Sequence, residues 1–256
     1  MQGVRVVMCV AMLGIATQAG AQDAPLVTDR PDFTESSEVV GVKQVQFESG
    51  FSYASAGHAG SITVPSALAR IGVARRLELR FGTDGYLSQG DGPSHISGLS
   101  DVELGVKVRL FDATTTGVDI AVIPMCSLPT GSRPISAGHP DPTIKFTWAR
   151  ELASGFDLSG NYNLSALSAG DHRFTQQALS ASLGHDLPLG LGGYLEVFGF
   201  MPATREGEAG WTIDGGVSRQ VHHHLQFDAE AGRGLTAAAP DWFIGFGFAF
   251  RADLGR

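Results

Sequence analysis

The sequence predicts an all-β chain folded as a single transmembrane antiparallel β-barrel of about twelve strands, and three observations carry that prediction. Apolar and polar residues alternate with a period of two through most of the chain. The alternating runs are joined by connections that are short and long in turn. The chain also opens on a leader of the kind that directs export.

The leader comes first. Arg5 precedes the apolar run Val6 to Ala16, and Ala19 and Ala21 flank Gly20 as a small-residue cleavage site. Such a run is too short to span a bilayer as a helix, so residues 1–21 read as a secretory signal peptide, with the mature chain starting at Gln22. Cys9 leaves with it. Cys126 is then the one cysteine remaining, which excludes an intramolecular disulfide framework and a thiolate metal site. About 235 residues are left, enough for one large domain or two small ones. The net charge of −8 becomes more negative when Arg5 is lost, and no basic patch offers itself to phosphates, which argues against nucleic acid. Beyond the leader no apolar stretch reaches the ~18 residues of a membrane helix. Glycine, at 34 of 256 residues, is close to twice its usual ~7%.

Residues 22–41 form a polar segment that contains TDRPDFTESS, Thr28 to Ser37. Pro31 and the charges Asp29, Arg30, Asp32, Glu35 and Glu38 make it a poor lipid-facing strand. Two expectations stand for it. It folds into the lumen as a plug or gate, with Arg30 meeting lumen carboxylates and Asp32 meeting Lys107 or Arg109, or it is a periplasmic lead-in without fixed structure.

Residues 42–256 supply the barrel. In Ser100 to Phe111, Val102, Leu104, Val106, Val108 and Leu110 share one face, while Asp101, Glu103, Gly105, Lys107 and Arg109 share the other. Helical spacing would scatter those charges all round. Similar runs surround Phe47, Leu79, Phe146, Leu158, Trp211, Phe227 and Phe246, with weaker copies near 62–73, 118–128, 174–184 and 194–201. No convincing helix lies between them, which excludes βαβ architectures.

A soluble sandwich and a membrane barrel share this alternation. The connections favour the barrel: 74–76, 112–117, 151–155 and 219–224 are short, whereas 87–100, 130–141, the stretch around 168–173 and 232–240 are longer. The segment 184–193 is longer than this scheme predicts. Trp148, Tyr162, Trp211 and Trp242 lie towards strand ends, as an interfacial girdle requires. The polar faces place Glu78, Arg80, Asp101, Glu103, Lys107, Arg109, Lys145, Asp157, Asp214, Asp228 and Glu230 along the lumen. Both signs of charge there either close the interior with ion pairs or leave a narrow, selective path.

Catalysis and metal binding find little support. His222, His223 and His224 are adjacent, so in an extended chain their imidazoles point to opposite faces and cannot converge on a metal. His172 with Ser165 and Ser168 invites a lipid-hydrolase reading, but no G-x-S-x-G elbow or acid partner accompanies them. No cofactor is implied.

TDRPDFTESS followed by QVQFESGFSY, then SDVELGVKVRLF, LPTG at Leu128 to Gly131, and the closing WFIGFGFAFR resemble blocks of a bacterial family of outer-membrane transporters of the meta-pathway of phenol degradation. That resemblance spans nearly all of the mature chain. It implies a monomeric barrel in outer-membrane lipid, inserted by the assembly machinery, that moves aromatic or other hydrophobic compounds. One departure is that Phe250 is followed by RADLGR, whereas many such barrels end on an aromatic residue. The expected function is passive transport of small hydrophobic or aromatic solutes. A structural or adhesive barrel, a lipid hydrolase and a soluble periplasmic β-protein are the alternatives.

Overall fold

The computed structural model describes residues 26–204 and 207–255, so the leader expected over 1–21 lies outside the described residues. Among the described residues fourteen strands form one antiparallel sheet. They are β1 (Gln44–Ala56), β2 (Ala59–Ala74), β3 (Leu77–Thr83), β4 (Tyr86–Gly90), β5 (Ile96–Leu99), β6 (Val102–Phe111), β7 (Asp119–Leu128), β8 (Asp141–Glu151), β9 (Phe156–Ala169), β10 (His172–Leu187), β11 (Leu191–Phe200), β12 (Gly210–His222), β13 (Leu225–Gly234) and β14 (Trp242–Asp253). β1 pairs with both β2 and β14, which closes the sheet into a barrel and leaves the wall no edge.

The wall has twelve strands, because β4 prolongs β3 and β5 leads into β6. The break falls opposite Pro65, which has no N–H to give the ladder. Gly85 at that break has φ of +69°, and a Cβ there would lie 2.0 Å from the Pro65 carbonyl oxygen. A side chain fits neither demand.

One rim, the near rim, carries the start of β1, the end of β14 and the compact connections 75–76, 152–155, 188–190 and 223–224. Its remaining connection holds the short helix α1 (Ala113–Thr116), which the alternation did not predict. The far rim carries the longer loops 129–140, 201–209 and 235–241. Three expected connections are corrected. The residues from 87 to 100 are mostly strand, because β4 and β5 pair beyond the wall. β9 and β10 meet in a two-residue turn at 170–171, so no long loop lies there. The apparent excess at 184–193 is likewise strand, since β10 and β11 extend to a turn at 188–190. Tyr162 stands in the middle of β9, yet it shares a lateral row with Leu179, Gly199 and Trp211, where β11 and β12 end.

Burial is inverted relative to a water-soluble fold. Among the described residues six apolar side chains are buried against twenty-one polar or charged ones. The large apolar side chains face outward: Phe47, Phe81, Leu104, Phe146, Leu195, Phe227 and Phe246 are all exposed. A continuous apolar exterior of this extent is a lipid-facing surface.

Candidate functional site

The polar interior is occupied by the chain's own N-terminal segment. From the near rim, the Lys43 N–H donates to the Gly72 carbonyl at 2.9 Å, and residues 42–26 then run into the barrel. A Cβ on Gly72 would stand 2.0 Å from the Gly41 carbonyl oxygen, so the absence of a side chain there admits the segment. Deeper in, Val40 donates its N–H to Glu78 at 2.8 Å, and the Ser37 and Thr147 hydroxyls lie 3.1 Å apart. The segment then doubles back. Gln46 on β1 and Gln226 on β13 donate to the Val27 carbonyl and the Thr28 hydroxyl. Contacts to β1, β2, β3, β6, β8, β11 and β13 surround it.

Its acids and bases sort onto two walls. On the first stand Arg70 (β2), Arg80 (β3), Lys107 (β6) and Lys145 (β8). Asp29 accepts from Lys107 Nζ at 3.0 Å and Arg80 Nη1 at 2.5 Å, with Arg70 Nη1 at 3.5 Å. Its own N–H donates to Glu48 Oε2 at 2.9 Å. Glu48 and Glu78 in turn accept from Arg70, at 3.1 Å and 2.9 Å. Glu35 bridges Lys145 at 2.6 Å and Arg80 at 3.2 Å. Burial would raise the Asp29 carboxyl, but Arg70, Lys107 and Arg80 outweigh it and hold it well below the ordinary carboxylate range. Burial opposes ionisation of Glu35 as well, and Arg80 and Lys145 bring it down to about 2.

The second wall is acidic: Glu196 (β11), Asp214 (β12), and Asp228 and Glu230 (β13). Glu196 accepts the Phe33 and Thr34 N–H groups at 2.7 and 2.9 Å. Asp228 accepts from Arg30 at 3.2 Å. The Arg30 guanidinium lies across Gly50 and Gly247, where an added Cβ would come within 2.4 and 2.5 Å of it. Tyr194 donates to Asp214 at 3.0 Å and approaches Glu230 at 3.5 Å. Asp32 sits beside Glu196 and Asp214, and burial together with Glu196 pushes its carboxyl well above the ordinary range.

Several expected partners and positions are corrected. Lys107 meets Asp29 rather than Asp32, because the turn of the segment directs residue 29 to the basic wall and residue 32 to the acidic one. Arg109 serves the near rim, pairing with Asp119 and with Asp112 at 3.5 Å. Asp101 lies between β5 and β6 and accepts the N–H groups of Gly131 and Ala137 at 2.8 and 3.1 Å, organising a far-rim loop. Slight burial works against ionisation there, but these donors and the Ser136 hydroxyl hold its carboxyl low. Asp157 is exposed beside a near-rim turn. Glu103 lines an inner cavity of about 170 Å³ with Asp84, Arg80 and Met125. Ser168 donates to Asp141 and Ser165 accepts from Thr143, so both hydroxyls suggested for hydrolysis are engaged elsewhere. His222 ends β12, and His223 and His224 make its turn. Among the described residues no group of three or more His, Cys, Asp or Glu is arranged to hold a metal ion.

Glu48, Arg70, Tyr194 and Glu196 were not among the expected lumen residues. Glu48 was within reach, since it occupies the same polar face of β1 as Gln46. Arg70 and Glu196 sit in strands whose inner faces also carry Leu68 or Phe198, which blurs the alternation.

No curated protein matches the chain. Solved structures share its fold at low identity. The COG4313 outer membrane channel from Pseudomonas putida F1 is 12% identical, with a TM-score of 0.61 over 84% of this chain and 97% of that one. The NanC porin is 8% identical, with a TM-score of 0.53 over 80% and 98%. The KdgM porin, solved in complex with disordered oligogalacturonate, is 9% identical, with a TM-score of 0.53 over 81% and 98%. The family model described as "Putative MetA-pathway of phenol degradation" matches residues 28–252, from the first residues of the internal segment to the last strand. With its closed wall, lipid-facing exterior and near full-length match, the chain belongs to that family and is an outer-membrane β-barrel.

Proposed function

We propose that this barrel is a passive outer-membrane channel for small hydrophobic or aromatic solutes and that segment 26–43 is its gate. The observation that carries the reading is Asp29, one buried carboxylate of the segment bound by three cations of the wall. The segment adds no strand to the wall, so it could leave the lumen without breaking the barrel's ladder. Cavities beyond the segment, towards the far rim, support a path that the segment interrupts. The printed names of the similar structures, a channel and two porins, support the same role.

The near rim, with both ends of the barrel and the compact turns, is taken as periplasmic. The leader brings the chain to the assembly machinery, and the barrel acts without a cofactor and not as an enzyme. The test is single-channel conductance of the refolded mature protein beside the same chain lacking residues 22–37. Current steps that appear or grow on truncation are expected. Silence from both, with each shown to be inserted, favours the structural barrel instead, a reading to which the dense ion pairing lends some weight.

A further inference from the structure

Near the far rim the largely polar lumen wall turns aromatic. Phe198 and Phe200 on β11 and Phe243 on β14 all project inward there, on the same inner faces as Glu196 and Gly245. Gly232, opposite Phe243, leaves the space its ring fills, since a Cβ would lie 2.3 Å from that ring. Inward aromatic rings do nothing for a water-filled wall. They are stabilised by contact with another ring or an apolar guest.

One such ring is already present, and it belongs to the N-terminal segment. Phe33 lies parallel to Phe198, with centroids 4.8 Å apart and planes at 10°. It meets Phe200 edge-on at 5.4 Å and 78°. Phe243 approaches the same Phe198 ring at 6.5 Å. On the outer side of these three wall rings lies a cavity of about 280 Å³, bounded also by Met201, Pro202 and Pro240. Cavities of roughly 150 Å³ hold benzene, so this one takes one or two rings. Gln176 and Thr212 contribute the polar lining, which suits a single hydroxyl. Glu208 at its edge and Glu196 beneath disfavour a carboxylate guest.

We propose that Phe198, Phe200 and Phe243 form a binding site for a small neutral aromatic solute, and that Phe33 occupies its inner half, so that solute and gate compete for the same aromatic face. This rests on the reading of segment 26–43 as a gate. A solute entering from the far rim binds first in the outer cavity and moves inward by taking the place of Phe33. Since Phe33 and Thr34 also supply the N–H groups that hold Glu196, displacement of the ring loosens the segment from the acidic wall. By reciprocity, whatever factor the docked Phe33 takes from solute affinity, the bound solute takes from gate docking.

The experiment is titration of the full mature protein in detergent micelles with benzyl alcohol, followed by ligand-observed NMR. Cyclohexylmethanol is the saturated control of similar shape. Saturable binding of benzyl alcohol is expected, at least several-fold tighter than cyclohexylmethanol. Phe33→Ala should tighten it roughly three- to tenfold, the worth of one aromatic stacking contact. Phe198→Leu and Phe243→Leu should each weaken it, with the barrel's heat-modifiable gel mobility showing that the variants fold. Absence of saturable binding, equal affinity for the two alcohols, or affinity unmoved by Phe33→Ala and Phe33→Leu would overturn the proposal. Binding in micelles does not depend on conduction, so this outcome is separate from that of the truncation experiment.

Discussion

On the wall built from β2, β3, β6 and β8, each of the four cations meeting the N-terminal segment has a carboxylate within salt-bridge reach. On the wall built from β11, β12 and β13, four carboxylates face one guanidinium of that segment, Arg30. There Asp214 Oδ1 and Asp228 Oδ2 have no hydrogen-bond partner among the described residues. The segment therefore grips the first wall through interlocked charges and the second through backbone N–H groups, one arginine and a phenylalanine ring. Removing a carboxylate that several buried cations share strands more charge than parting one ion pair, two N–H donors and a ring. The difference bears on how the gate proposed above would open: the acidic side is expected to release first, with the basic side as the hinge.

The largest test of this contrast is Asp29→Asn. It leaves Arg70, Arg80 and Lys107 short of a shared counter-charge, at a cost of about 3–5 kcal/mol to docking of the segment. Single-channel recordings of that variant should match those of the truncated chain, while the barrel keeps its heat-modifiable mobility. The corresponding change on the other wall, Asp228→Asn, should produce brief openings only.

Next in size is a dependence on pH that belongs to the acidic side. Asp32, raised in the docked state, stabilises docking below its ordinary value of 3.8 and loses that contribution as pH rises through the raised value. Glu35 works the other way: its contribution is present above 4.5 and is lost only as pH falls through about 2. Asp29, also lowered, has the same sign as Glu35. Docking should therefore weaken with rising pH, against the carboxylates of Glu196 and Asp214. Open probability should increase as pH is raised above the ordinary carboxylate range and Asp32 ionises. Asp32→Asn should flatten the increase.

Gly247→Ala should act more gently still. Its methyl group would lie 2.5 Å from Arg30 atoms and displace a flexible side-chain end rather than backbone. The thermal unfolding of the barrel should not change, and the Arg30–Asp228 pair at 3.2 Å should weaken. Longer dwell times in the conducting state would register it. Ser37→Ala, which removes one hydroxyl contact to Thr147, should shift docking by about 1 kcal/mol at most and leave the current record near that of the unaltered chain.

The barrel was legible where inner and outer faces contrast most. β6 sets Glu103 and Lys107 against Leu104 and Val106, and a period of two states its role outright. β2 places Ser66, Leu68, Arg70 and Gly72 inward against Ala67, Ala69 and Ile71, so little contrast survives for a reader of the sequence. Periodicity names a face but not a height. Asp101, Arg109 and Asp157 share the parity of Glu103, Lys107 and Asn161, yet they stand at the rims, where turns and loops claim them. The acid-rich opening segment was recognisable as unsuited to lipid, but with no regular structure from 26 to 43 its partners could not be ranked. That Asp29 and not Asp32 meets Lys107 depends on where the segment turns. The glycines under Arg30 and beside Gly41 were visible only as an excess, because a missing side chain gives no sign of what fills its place.

The most direct test of an internal gate is a cross-link between the segment and the wall. The Ser37 and Thr147 hydroxyls are 3.1 Å apart across the boundary of segment and wall, which makes these two positions the pair to bridge. Ser37→Cys with Thr147→Cys, in a Cys126→Ser background, should cross-link under mild oxidation in intact outer membranes. The oxidised protein should be electrically silent, and a reducing agent should restore whatever openings the uncross-linked chain shows. Failure of the two cysteines to join, or a conductance indifferent to their oxidation, would contradict the placement of the segment in the lumen or its role as the gate.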